Sequence, residues 1–360
     1  MKKSYANLPL HGGKAPAWLF SRMRLLAREI AIAIVSEYNS KELLNRLSDP
    51  FWFQAFGCVL GFDWHSSGVT TTTLGALKDG TKEIDKDLGV FIAGGKGRTS
   101  RGTPQEIEKI IDKNSLSLEA EKLKYASRMS AKVDSNALQD GFSIYHHNLL
   151  FTKDGSWSVI QQGMKETSRM ARRYHWLSEN LKDFVCEPHL AVCCDKKTNV
   201  LNLVAEEGKE NRSASCFVAG EKPEKIIKDL NKLKELTLPE RHHILLSDIN
   251  PERLKTIFLK TYLAQPKNFE ELLGITGVGA KTMRSLSLIS ELVYNAPASI
   301  KDPVRFSFAH GGKDSFPYPV DRDTYDLSIE ILNKAINKAG IDHTEKIKAF
   351  KRLGKYNREN

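Results

Sequence analysis

Apolar residues first fall at helical spacing over Leu19, Met23, Leu26, Ile30 and Ile34, with arginines on the intervening positions, so a helix is predicted after the Gly/Pro-rich start LPLHGGKAPAWLF. Further short helix is expected over 40–60. The Gly/Ser/Thr-rich GFDWHSSGVTTTTLGALKDG then reads as a loop entering a short helix or strand. A basic loop from Ala93 to Pro104 leads into a charged helix expected to continue to about Ser130. Beyond it the pattern changes. FSIYHHNLLFT and SWSVIQQGM are β-prone runs on either side of Lys153-Asp154-Gly155, which predicts a hairpin. Its register sets His146 or His147 opposite the Gln161–Gln162 pair.

Lys165 to Leu181, carrying Arg169, Arg172 and Arg173, reads as a helix. Leu190–Cys194 and Val200–Val204 read as two strands about a turn at Lys196–Asn199. From Glu206 to Leu236 the charges balance and aromatics are few, the pattern of a helix and linker. The remainder is helical, interrupted by a Gly/Pro-containing loop from Pro297 to Pro319. The expected fold class is therefore α+β. A mixed α/β domain with β-hairpins would span 1–205, a charged helical linker 206–235, and an all-α domain 236–360.

Composition changes this picture in two respects. Lys and Arg number 54 against 44 Asp and Glu, a formal charge of +10, and such a surplus suits a polyanionic partner. The five cysteines follow no apolar N-terminal run and no stretch is apolar enough to span a bilayer, so a cytoplasmic, nucleoid-associated setting with free thiols is expected. Cys186, His189, Cys193 and Cys194 are close in sequence but match no standard zinc spacing.

The segment FEELLGITGVGAKTMRSLSLISELV, 269–293, has the layout of a helix-hairpin-helix. Phe269–Leu273 would form the first helix, Gly277-Val278-Gly279 the turn and Lys281–Tyr294 the second helix. Glycines in the turn allow a tight backbone path that aims N–H groups at a DNA phosphate, aided by the helix dipole and without reading bases. Lys281 and Thr282 would add a cation and a hydroxyl, while Leu286, Ile289 and Val293 would face the core. In the loop GGKGRTSRGTP, which lacks the order of a P-loop, Lys96, Arg98 and Arg101 are candidate phosphate contacts.

Polar residues within apolar runs are candidates for chemistry. Phosphodiester hydrolysis commonly uses carboxylates that hold Mg²⁺ or Mn²⁺, with an imidazole for proton transfer. Asp63, Glu187 and Asp195 would be the metal ligands, and Asp63, His65, His146, His147 and Glu187 the catalytic set.

Around the hairpin the sequence resembles base-excision DNA glycosylases of the helix-hairpin-helix superfamily, through GVGAKT and the later YPVDRDTYD. That resemblance implies Lys281 as a Schiff-base nucleophile and Asp321 as its partner. The two stand 40 positions apart, about double the spacing the superfamily implies, with FSFAHGGKDSFP between them. Over nearly the whole chain, LPLHGGKAPAWLF, DPFWFQAFGCVLGFDWHSSGVTTTTLGALK, the YHHNLLF–KDGSWSVIQQGM hairpin and GVGAKT together resemble the mostly archaeal and thermophile family catalogued as domain of unknown function seven-six-three. The resemblance implies DNA processing, including nuclease activity. The leading expectation is a metal-dependent, sequence-tolerant DNA nuclease of repair or strand processing. A glycosylase/lyase and a non-enzymatic DNA-binding adaptor working with repair proteins such as a helicase are the alternatives.

Overall fold

The computed structural model describes residues 15–61, 68–165, 170–194, 197–235, 249–304 and 322–359. The chain begins with helices α1 (Ala17–Glu37), α2 (Ser40–Ser48), α3 (Pro50–Leu60), α4 (Gly68–Thr81) and α5 (Asp85–Leu88). Strand β1 (Val90–Lys96) is followed by α6 (Arg98–Arg101), α7 (Thr103–Asn114) and α8 (Ala120–Lys132). A π turn (Val133–Ala137) carries α8 into β2 (Leu138–Gln139), β3 (Ser143–Thr152), β4 (Trp157–Lys165), β5 (Met170–Leu177), β6 (Ala191–Cys193) and β7 (Leu201–Asn202). Then come α9 (Lys209–Ala219), α10 (Pro223–Lys234), α11 (Pro251–Ala264), α12 (Phe269–Gly274), α13 (Ala280–Tyr294), α14 (Arg322–Lys338) and α15 (His343–Glu359).

Among the described residues, β1-β3-β4-β5-β6 form an antiparallel sheet and β2-β7 a small second one. Helices cover both faces of the larger sheet. Because side chains alternate along a strand, Phe91, Leu149, Phe151, Val159 and Trp176 enter one core, with α7, α8 and α9–α13. Val90, Ile92, Leu150 and Ile160 enter the other, with α1–α4, α14 and α15. This is why β3 and β4 are apolar or buried at nearly every position rather than at alternate ones. The α+β class holds, and the Lys153–Gly155 turn sets the expected pairing, His146 opposite Gln162 and His147 opposite Gln161.

Several expected elements differ. The predicted helix from Lys165 to Leu181 is instead strand β5, paired on both sides. Its arginines are not a solvated helix face; Arg172 and Arg173 are fully buried on opposite faces of the sheet. Among the described residues the two runs either side of 196–199 do not pair with each other: β6 pairs with β5, and β7 with β2. The single charged helix before Ser130 breaks into α7 and α8 at Ser115, which takes a left-handed conformation, φ 52°. One apolar core crosses the boundary expected at residue 205. It joins the sheet to Val218, Ile226 and Leu230 of the expected linker and to Leu272 and Leu286 of the hairpin. At the other end α14 and α15 pack against α1 and α3, which begin the chain's first layer.

Candidate functional site

The hairpin forms as its glycines predict. Asn268 caps α12 through its side chain, which accepts from Glu271 N at 2.8 Å. The turn passes through Gly277 at φ 96°, where an added Cβ would stand 2.7 Å from Ile257 Cδ1, so that position requires glycine. Gly279 then N-caps α13 without a side-chain cap, and a Cβ there would meet nothing within 4 Å. The first helical bond runs from Met283 N to Gly279 O, so the amides ahead of it have no intrahelical acceptor. Lys281 is exposed beside them, and Lys260 Nζ lies 3.9 Å from the Cβ position of Gly277. The turn thus has a cation at each side, Lys260 near Gly277 and Lys281 two positions after Gly279.

Two expected contacts differ. Thr282 is 2% exposed and sits in the packing of α13 rather than beside Lys281. Val278 is buried, and its amide already donates to Ile275 O at 3.2 Å, so it anchors the turn instead of offering an N–H. Val293, expected in the core, is exposed, whereas Leu286 and Ile289 are buried.

The hairpin is tied to the sheet by side chains that the sequence did not single out. Lys132, at the end of α8, donates to Leu273 O, Gly274 O and Ile275 O at 2.7, 3.2 and 3.0 Å, which neutralises the carbonyl end of α12. Burial, with Arg128 nearby, lowers the pKa of this ammonium from the ordinary lysine value. Gln139 Nε2 donates to Ala280 O at 2.9 Å, and Gln139 Oε1 accepts from Arg284 at 2.9 Å.

Behind that junction lies a buried polar network on the same face of the sheet. Asp134, in the π turn, is fully buried. Its Oδ2 accepts from Gln161 Nε2 and from Trp176 Nε1 (3.0 Å), and its Oδ1 meets His189 Nε2 at 2.5 Å. Gln161 Oε1 in turn meets His147 Nδ1 at 2.8 Å, and His147 Nε2 meets Ser127 Oγ at 2.8 Å. Burial lowers the pKa of His147, so its ring stays neutral. Alongside, Arg172 bridges Asp140 (2.9 Å) and Asp302 (2.7 Å), and Tyr174 Oη donates to Asp140 Oδ2 at 2.7 Å. A π turn often marks a functional position, but the bonds that meet at Asp134 and Asp140 tie these side chains to one another, an arrangement that fixes geometry.

The opposite face holds His146, in register between Lys96 of β1 and Gln162 of β4. Gly94 makes this close approach feasible: at φ 99°, a Cβ there would stand 2.2 Å from His147 O. The segment expected as a phosphate-contacting loop is instead the end of β1 and helix α6, and its Lys96, Arg98 and Arg101 are all exposed.

The family described as protein of unknown function (DUF763) matches residues 4–320. The chain belongs to that family. No curated protein and no solved structure matches it.

In this family member the expected catalytic set is divided. His146 and His147 are neighbours but face opposite sides of β3. Glu187 lies outside the strands, four residues before β6, which is separated from β3 by β4 and β5. It is exposed, with its Oε1 accepting from Glu206 N at 3.2 Å. Asp63, His65, Asp195 and Asp321 lie outside the described residues. Among the described residues no three His, Cys, Asp or Glu side chains converge to hold a metal ion. Glu187 alone therefore does not form a fitting site for Mg²⁺ or Mn²⁺, and no metal-dependent step is placed on it. Cys193 and Cys194 enter different cores on opposite faces of the sheet, which keeps them from sharing a zinc ion. No described helix is long and apolar enough to cross a membrane.

Proposed function

We propose that this protein binds DNA by its phosphate backbone, without reading bases, through the start of α13. The observation that carries this reading is the open, uncapped backbone at Gly279, in a turn that has Lys260 near Gly277 and the exposed Lys281 just after it. A helix N-terminus of this kind offers N–H donors and a positive dipole end to a phosphate oxygen. The charge of +10 adds long-range attraction.

Gly279→Ala is the discriminating substitution. The backbone there, φ −132° and ψ −175°, is one alanine adopts freely, and the Cβ meets nothing in the protein. It projects only where a phosphate would approach. The expected result is an unchanged unfolding midpoint with duplex affinity reduced by about tenfold, the loss of one charge-assisted contact. Affinity of the unaltered protein should also fall with salt by about 0.9 log unit per log unit of salt for each phosphate neutralised. Full affinity in Gly279→Ala, or equal affinity at low and high salt, would remove the hairpin from the interface. Gly277→Ala is unsuited to this test, because its strained φ and the contact with Ile257 affect folding.

Metal-dependent hydrolysis of the bound DNA, as a nuclease of repair or strand processing, is the activity we add to this reading. It rests on the sequence pattern and on residues outside those described. Incubation of single-stranded, duplex and flap DNA with Mg²⁺, Mn²⁺ or EDTA tests it. Cleavage that stops on chelation supports a nuclease. Metal-independent nicking with borohydride trapping at Lys281 supports a glycosylase, and binding without cleavage supports an adaptor. The exposure of Lys281 favours a phosphate contact over an amine nucleophile, which draws its reactivity from desolvation.

A further inference from the structure

A row of side chains crosses the sheet on the side away from the hairpin. Lys96, His146, Gln162, Arg173 and Cys193 are cross-strand partners in succession over β1, β3, β4, β5 and β6. Cross-strand partners share a face, so the row leads from an exposed lysine at the sheet edge to a buried cysteine. Its inner members are well bonded. Gln162 Oε1 accepts from Thr70 Oγ1 at 2.5 Å, and Arg173 donates to His175 Nε2 at 2.8 Å and to Gln54 Oε1 at 3.1 Å.

His146 differs from them. It is 2% exposed, and the one described side chain that bears on its ring as a hydrogen-bond neighbour, Asn148, makes no well-formed bond to either nitrogen. Asn148 Oδ1, two positions along β3 on the same face, likewise makes no well-formed bond among the described residues. Buried polar atoms are almost always matched, so a ring with no well-formed bond among the described residues points to a further partner. The surroundings define its charge. Lys96 lies on the solvent side, with its Nζ 5.8 Å from the centre of the Tyr145 ring. Lys78 of α4 donates to Gly94 O at 2.7 Å. Arg98 and Arg101 follow on α6, which packs against β1 and β3. Glu106, the acid bonded among these groups, is engaged by Lys78 at 2.6 Å and by Gly94 N at 2.7 Å.

We propose that this mouth of the sheet binds a phosphate group, with the imidazole of His146 as the buried donor at its floor and Lys96 as the cation at its rim. A phosphate offers several acceptor oxygens, enough to take an imidazole N–H and an ammonium together. A metal cation is disfavoured by the four basic side chains. The site uses elements other than the hairpin and does not depend on its role. The phosphate can belong to a nucleic-acid backbone or to a free phosphate compound.

The test uses full-length protein with ring-labelled histidine, and the His146 resonance is identified by its loss in His146→Gln. Inorganic phosphate, a single-stranded oligonucleotide and sodium chloride at matched ionic strength are titrated separately. Inorganic phosphate should shift the His146 resonance saturably and raise its titration midpoint from about 3, because an anion there would offset the positive charge of Lys96 and Lys78 near the ring. Lys96→Ala should weaken that binding by about tenfold. A matching shift with the oligonucleotide assigns the site to nucleic-acid backbone, and a shift with inorganic phosphate alone assigns it to free phosphate compounds. Absence of a saturable shift with either, or an equal shift with chloride, would overturn the proposal and leave only buried water at His146. Oligonucleotide affinity of Gly279→Ala, measured alongside, reports on the hairpin independently.

Discussion

Arg172→Leu is expected to lower the free energy of unfolding by about 3–5 kcal/mol, the cost of removing one partner from a buried ion pair. Arg172 is fully buried, and so are the carboxylates it bridges: Asp140 at 1% and Asp302 at 2% side-chain exposure. Burial pushes the Asp140 carboxyl above its usual pKa range, opposed by Arg172, by the Tyr174 hydroxyl and by the Phe142 amide. Leucine keeps much of the volume but leaves two acids with too few donors. The bridge also spans distant parts of the chain, since Asp302 follows α13 and Arg172 lies in β5. Loss of the arginine should therefore loosen the segment beyond the hairpin as well as the sheet. Urea unfolding measures the effect. A change below about 1 kcal/mol, the range of an exposed pair, would show that Arg172 is not the buried bridge described. Adding Asp140→Asn and Asp302→Asn to Arg172→Leu should recover part of the loss, because both uncompensated acids are then gone.

Acid sensitivity is the second large effect. Burial, with His147 and Lys96 as neighbours, lowers the His146 pKa to about 3. In the unfolded chain a histidine titrates near 6.5. The unfolded state thus takes up a proton between these values that the folded state refuses. The stability carried by neutral His146 is fully present above about pH 6.5 and is lost as pH falls toward 3. By pH 5 the loss is about 2 kcal/mol for this residue. His147 and His175 are lowered in the same direction by burial, with Arg173 adding to the effect at His175. The urea midpoint should therefore fall steeply between pH 7 and pH 5, and His146→Gln should flatten that slope. A midpoint constant over this interval would mean that these rings are not held neutral in the core.

The parts legible in the sequence were those fixed by local chemistry. Lys153-Asp154-Gly155 sets the β3–β4 register and so places both histidines opposite both glutamines. Gly277 and Gly279 occupy the turn their spacing implies. What was not legible depended on distant partners. Two adjacent arginines in β5 look like a basic helix face until Asp140, 32 positions earlier, and Asp302, 130 positions later, neutralise Arg172. Asp134 gave no local sign, because its importance comes from Gln161, Trp176 and His189 converging on one π turn. A run of lysines and glutamates over 206–235 reads as a solvated linker. Yet Val218, Ile226 and Leu230 form a narrow apolar stripe that joins the sheet core.

Lys132 has a bearing on motion. By holding three successive carbonyls at the end of α12, it couples the hairpin to the helix that also delivers Asp134 to the core. Leu272 and Leu273 are fully buried on the same side of the sheet. Separate opening of the hairpin would thus break the Lys132 contacts and expose part of the main core together. Its amide hydrogens should then exchange with solvent deuterium at rates close to those of β3 and β4, as members of one cooperative unit. In Lys132→Met the hairpin amides should exchange faster while those of β3 and β4 keep their protection.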